Sequence, residues 1–413
     1  MSRAISPMNF LRAAWFRATW FRVSSLMLVL LLLLHAVPFS QAQTYTVLHT
    51  FSPNGTDGAV PSAGLVQDAK GNLYGTTTAG GQYLYGIAFK LTPAGKETVL
   101  HAFGNTGDGK TPMAGLLRDS AGNLYGTTLE GGASGAYGTV FGLNNTGSEI
   151  MLYSFGGPPN DGGFPQAGLI QDGAGNLYGT TAQGGSVGIG TVFTLNKSGG
   201  GETVLYNFCS LQNCADGGYV LAGLLRDAKG NLYGTTNLYG KYSAGVVFKV
   251  DSSGTETVLY NFCPAQNCPD GSKPAAGLIQ DAAGNFYGTT TAGGKHGAGT
   301  VFKLSKNFKE TVLYSFKGLK DGGTPMAGVI QDSAGNLYGT TKSGGKHQNG
   351  TVFKLTKAGT ESVLHSFTGG KGGGQPLAGL IRDAKGNLYG TASAGGDPSC
   401  TPPGCGVVFK LSP

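Results

Sequence analysis

One string constrains this chain more than any other feature: GN[LF]YGT occurs seven times, with its Asn at Asn72, Asn123, Asn176, Asn231, Asn285, Asn336 and Asn387. The spacings are 51, 53, 55, 54, 51 and 51 residues. A period of that size marks a series of like supersecondary units, each unable to bury its apolar faces alone. The units fill residues 43–413, which are read as a single domain with no room for a second.

Each unit contains four short apolar or alternating runs. In the fifth they are AAGLIQD, NFYGTT, GTVFKL and ETVLYSF, here called strands A, B, C and D. They are β-branched and aromatic, of strand length, and bounded by Gly, Asp, Asn and Pro; none has the length or period of a helix. A D-x-x-G-N turn links A to B in every unit, as at Asp281 to Asn285, where Gly284 supplies a left-handed backbone and Asp281 caps the turn amides. The 74 glycines serve such turns; they lack the three-residue period of collagen.

A four-stranded antiparallel sheet of this size has two apolar faces, and radial stacking of seven such sheets buries both. The small residues of strand A, Ala63 and Gly64 in the first unit, suit a crowded innermost position. The ends of the repeat region agree. Residues 44–51, TYTVLHTF, form a D strand with no A, B or C before it, and residues 406–413, GVVFKLSP, form a C strand with no D after it. The expected fold is therefore all-β: a seven-bladed β-propeller of four-stranded antiparallel blades, closed when the N-terminal strand completes the last blade and covers its edge. An open β-solenoid is the alternative.

The unit AGLIQD–GNLYGTT–GG–GTVFKL–ETVLYSF resembles the Gloeo/Verruco (GloVer) tandem repeat of exported bacterial proteins, over essentially all of residues 44–413. The resemblance implies an envelope or secreted location and brings no assigned biochemical activity with it.

Residues 1–42 read as an export signal: a basic stretch, an apolar block from Leu26 to Leu34, then small residues at Ser40 and Ala42. The apolar block is shorter than the roughly twenty residues of a spanning helix, so no stable membrane span is expected after cleavage. The expected location is the periplasm or the extracellular space. The formal net charge is +7, but Arg3, Arg12, Arg17 and Arg22 precede the fold. The remaining charge is small and scattered, which argues against a nucleic-acid surface.

Repetition also sorts the titratable residues, because a group recurring at one position in most blades is architectural. Of the 22 carboxylates, seven are the A–B turn Asp residues, from Asp68 to Asp383. Six are the D-G Asp residues of the D–A loops, Asp57, Asp108, Asp161, Asp216, Asp270 and Asp321, and six are Glu residues opening strand D, from Glu97 to Glu361. The D-G Asp set is a weak candidate for cations, with structural Ca the one cofactor entertained; the seventh loop breaks it with Lys371–Gly372. His49, His101 and His365 share one strand-D position and read as packing residues. Glu130, His296 and His347 escape the pattern and are the weak catalytic candidates. Three C-x4-C pairs, Cys209 with Cys214, Cys263 with Cys268 and Cys400 with Cys405, are expected as local disulfides of an exported chain.

The A–B turns are constant in length, whereas B–C connections run from 8 to 13 residues and D–A connections from 10 to 13. In an up-and-down blade these two variable sets emerge on one rim. Tyr83, Tyr85, Tyr137, Tyr239 and Tyr242 lie there, in B–C loops, and are the candidate ligand-binding residues. The expected function is a monomeric, non-catalytic binding scaffold for an envelope or extracellular polysaccharide or protein. The alternatives are a lyase or glycosidase with its site at the funnel mouth and a cation-binding structural protein.

Overall fold

In the computed structural model the seven repeats become seven four-stranded antiparallel sheets. The structure describes residues 43–52, 56–133, 137–144, 147–197, 201–401 and 403–413; the export segment expected at 1–42 lies outside them. In the fifth blade strand A pairs only over Ile279–Gln280, followed by B at Phe286–Thr290, C at Thr300–Leu304 and D at Glu310–Ser315. The long apolar run read as strand A is thus mostly unpaired. Its Ala–Gly portion serves the packing at the axis instead.

Closure is direct. Thr44–Thr50 pairs antiparallel with Val407–Ser412, with Thr44 opposite Ser412 and Thr50 opposite Val407, so the first strand in sequence is strand D of the last blade. A second ring of bonds joins the blades. The Thr that follows the Tyr–Gly pair of each strand B donates its hydroxyl to the Ala carbonyl of the next strand A: Thr76 to Ala114 at 3.0 Å, Thr289 to Ala327 at 2.9 Å, and finally Thr391 back to Ala63 at 3.0 Å. At the axis successive blades touch through glycine. A Cβ on Gly328 would lie 2.8 Å from the Gly277 carbonyl oxygen, and one on Gly115 would lie 3.1 Å from that of Gly64. No other residue allows that approach without a shift.

The core is split among the blade junctions. Each junction holds a T-shaped pair made by the Phe after one D strand and the Phe of the next C strand, as in Phe262–Phe302 with centroids 5.1 Å apart and Phe51–Phe89 at 5.3 Å. All four rings are fully buried. Burial contributes about 1.5–3 kcal/mol per ring and the edge-to-face geometry about 0.5–1.5 more. The motif glycine of strand B makes room for this ring: a Cβ on Gly288 would stand 2.6 Å from Phe302 Cζ.

The D-x-x-G-N turn works as read. Asp281 Oδ1 accepts the amides of Ala283 and Asn285 at 3.0 and 2.9 Å, while Oδ2 accepts Asn285 Nδ2 and the Tyr287 hydroxyl, both at 2.9 Å. Burial pushes the Asp281 carboxyl up, but these hydrogen bonds outweigh it and hold the group below the usual carboxylate range.

Candidate functional site

Two kinds of position depart from plain architecture, one on the rim and one between the blades. In every D–A loop the residue three positions before the axial Ala, which follows D-G-x in six loops and Gly374 in the seventh, takes a left-handed backbone without being glycine. These residues are Val60, Thr111, Phe164, Tyr219, Lys273, Thr324 and Gln375, with φ between 50° and 57°. Strain of this kind costs on the order of 1–3 kcal/mol per residue and must be held by its surroundings. Here the holders are backbone hydrogen bonds. Lys273 N donates to Ala244 O of the preceding blade's B–C loop at 2.8 Å, and its carbonyl accepts Thr291 N of its own blade's B–C loop at 3.2 Å. The same two bonds recur at the other six positions. The result is a ring of seven residues of equal backbone geometry and differing side chains, three positions before the axial Ala–Gly pair. The sequence carried a signal for them, since six of the seven precede Pro, but a variable residue before Pro reads as ordinary loop.

Around that ring the five Tyr candidates divide. Tyr85 and Tyr242 are exposed, at 40% and 39%. Lys110 Nζ lies 4.4 Å above the Tyr85 ring and Lys241 Nζ 5.4 Å from that of Tyr242. Tyr83 is half-buried beside Gly104. Tyr137 packs edge-on against Phe164, and Tyr239 stacks with Tyr219 at 6.1 Å, so both abut the left-handed ring. Leu84, Val187, Leu211 and Leu319 are also exposed in B–C or D–A loops. A cavity of about 470 Å³ adjoins Leu319, lined by Lys317, Lys320, Asp321, Lys346 and Gln348. Two cavities of similar size lie on the opposite side, among the A–B turns. One contains Asp68, Tyr74, Lys90 and Arg118, in which Asp68 and Tyr74 are already bonded to each other.

Glu130, His296 and His347 are exposed rim residues of the second, fifth and sixth blades. Among the described residues they belong to neither of the two tight clusters of titratable side chains. The three cysteine pairs are disulfide-bonded as expected, Cys209–Cys214, Cys263–Cys268 and Cys400–Cys405. The carbonyl of Cys405 accepts Val60 N at 2.8 Å, tying the last blade's B–C loop to the ring.

The second set lies between blades. The D-G Asp residues occupy six separate junctions, each facing the strand-D His or Tyr before it. Tyr153 donates to Asp161 at 2.8 Å, Tyr206 to Asp216 at 2.8 Å, Tyr260 to Asp270 at 2.7 Å and Tyr314 to Asp321 at 3.0 Å. In the two other junctions the partner is His101, 3.0 Å from Asp108, and His49, 3.5 Å from Asp57. From the sequence, the strand-D position that these histidines share reads as packing. The structure places His49 and His101 beside the junction carboxylates, whereas His365, which follows the same one-residue register shift, stacks on Tyr45.

The Glu opening the next D strand completes each junction. Burial first, and the neighbouring Asp charge second, push Glu202 and Glu310 up to about 7 and Glu256 up to about 8. Among the described residues, the junction of the sixth and seventh blades alone has no such carboxylates. There Tyr45 stacks on His365 with centroids 3.8 Å apart, its hydroxyl donating to the Gly372 carbonyl at 2.6 Å. Burial pushes His365 down to about 4.

These features define a closed seven-bladed propeller whose variation is gathered on one rim. Residues 37–225 and 210–409 match the Gloeobacter/Verrucomicrobia repeat, and the chain belongs to that family. Among curated proteins none matches it. Solved structures with the same fold include a streptogramin B lyase, 14% identical with a TM-score of 0.60, over 90% of this chain and 99% of that one. Another is the extracellular domain assigned to a hybrid two component system of B. thetaiotaomicron, 14% identical with a TM-score of 0.56, over 90% of this chain and 41% of that one. At such identities the likeness concerns the fold alone.

Proposed function

We propose that this protein is an exported, non-catalytic scaffold that binds an envelope or extracellular polysaccharide or protein through its B–C/D–A rim. The observation that carries the reading is the left-handed ring: seven backbones of one geometry present Val60, Thr111, Phe164, Tyr219, Lys273, Thr324 and Gln375, six residue types in all. A scaffold that only had to close would accept glycine at each of these positions and relieve the strain. Side chains kept there at a cost in stability, beside exposed Tyr85 and Tyr242, suit recognition by contact. Three disulfides in rim loops fit a chain working in an oxidising compartment.

The test uses glycine itself. Phe164→Gly with Tyr219→Gly strips two ring side chains while relaxing the backbone, so folding is retained. Purified protein is screened on a glycan array and against envelope extracts, and the variant, together with Tyr85→Ala/Tyr242→Ala, is measured against the ligand found. Loss of binding by tenfold or more, with the circular dichroism spectrum unchanged, supports the rim. Undiminished binding in both variants moves the site elsewhere. Cleavage of the ligand that stops in Glu130→Ala establishes the enzyme alternative instead.

A further inference from the structure

Two of the six carboxylate junctions contain a different donor from the other four. Where the last blade meets the first, His49 lies with Asp57 and Glu97; at the next junction, His101 Nε2 is 3.0 Å from Asp108 Oδ2 and 3.9 Å from Glu149 Oε2. In each trio one ligand atom per residue falls within 4.8 Å of the others. The donors come from three separate segments: the end of one D strand, the loop after it, and the start of the next blade's D strand.

These are not acidic patches. Each contains an imidazole. The junction Glu has a sealed, unpartnered Oε1 at all six junctions, from Glu97 to Glu361, but in the first trio an imidazole nitrogen, His49 Nε2, is also sealed without a hydrogen-bond partner. Buried groups of this kind are rare in folded proteins unless something unlocated satisfies them. The other four junctions supply a comparison inside the same molecule. They hold the same Asp and Glu, but the third residue is Tyr, whose neutral O–H donates to the Asp and whose phenol oxygen is a far weaker ligand for a divalent transition metal than an imidazole nitrogen.

We propose that His49–Asp57–Glu97 and His101–Asp108–Glu149 each bind a divalent transition-metal ion of the Zn²⁺ class, clamping consecutive blades. One imidazole nitrogen and two carboxylate oxygens make three protein ligands, leaving a fourth position for water. Imidazole favours zinc and its neighbours, whereas Ca²⁺ takes six to eight oxygens. The donor set therefore points away from the calcium expected from the Asp pattern alone. The side chains of His49, Asp57, His101 and Glu149 retain 17–20% exposure, which leaves a route for entry. The location has a structural purpose. His49 sits in the strand that closes the ring, so the first ion would tie the N-terminal strand to the first blade and the second would extend the clamp by one junction.

The experiment is a titration of the untagged, chelator-stripped protein with ZnCl₂ by calorimetry, with bound metal counted by mass spectrometry. Two Zn²⁺ per chain are expected, one in His101→Tyr and none in His49→Tyr/His101→Tyr. The Tyr variants keep their fold because Tyr occupies this position at Tyr153, Tyr206, Tyr260 and Tyr314. Glu149→Gln, which retains the histidine, should also lose one ion. The proposal is overturned if the wild-type chain binds no Zn²⁺ at tens of micromolar. It is equally overturned if the double Tyr variant retains both ions, which would assign them to exposed His296 and His347, or if CaCl₂ competes on equal terms.

Discussion

Gly288→Ala tests the packing logic of the whole ring, because the GN[LF]YGT glycine meets the next strand's Phe in every blade. An added Cβ would lie 2.6 Å from Phe302 Cζ, 2.9 Å from Phe302 Cε1 and 2.9 Å from Leu278 Cδ2. Ordinary contact needs about 3.5 Å or more, so the ring must retreat by most of an ångström. It has nowhere to go: Phe302 is fully buried and its other side meets Phe262 edge-on at 5.1 Å. Overpacking of this kind costs about 1–3 kcal/mol, against which alanine's entropic advantage over glycine in a strand returns about 0.5–1. A net loss of about 1–2 kcal/mol is expected. Urea unfolding followed by far-UV circular dichroism measures it; tryptophan fluorescence does not serve, since both tryptophans, Trp15 and Trp20, precede the propeller. Combining the change with Phe302→Leu removes the obstructing ring, so the pair should couple by about 1 kcal/mol or more. A Gly288→Ala protein as stable as the parent, or strict additivity in the cycle, would refute the argument.

Two further outcomes follow from the junctions and the closure. Glu256 binds its proton more tightly folded than unfolded, so its contribution to stability is complete below the ordinary carboxyl range and is lost as pH rises through about 8. Thermal melts between pH 5 and 9 should therefore fall more steeply for the wild type than for Glu256→Gln, and parallel curves would count against a protonated junction. The turn Asp residues have the opposite sign and lose their contribution only as pH falls, below this window. Removal of residues 44–50 strips strand D from the last blade and exposes the edge of Val407–Ser412. Size-exclusion chromatography should then show dimers or aggregates where the intact chain runs as one species; a monodisperse truncated protein would show that closure is dispensable.

Much of this was legible in the chain itself. The period of the Asn residues, the D-x-x-G-N turn and the orphan D strand at residues 44–51 imply blades, their number and their closure, because each is a local signal repeated until chance is excluded. The cysteine pairing was legible for the same reason, with partners five residues apart. The left-handed ring was not. Its residues differ in type, and the strain is set by hydrogen bonds to two B–C loops, one of them in another blade. The role of His49 and His101 was missed because packing and pairing look alike along one strand. What separates them is Glu97 or Glu149, which arrives from the following blade.

The sequence alone thus determined the repeat, the strands and the turn chemistry, all fixed by residues within a few positions of one another. Only the tertiary structure decided which groups meet across a junction. Those meetings join the end of one D strand to the start of the next blade's D strand, a contact that exists once the sheets are packed side by side and in no one of them alone.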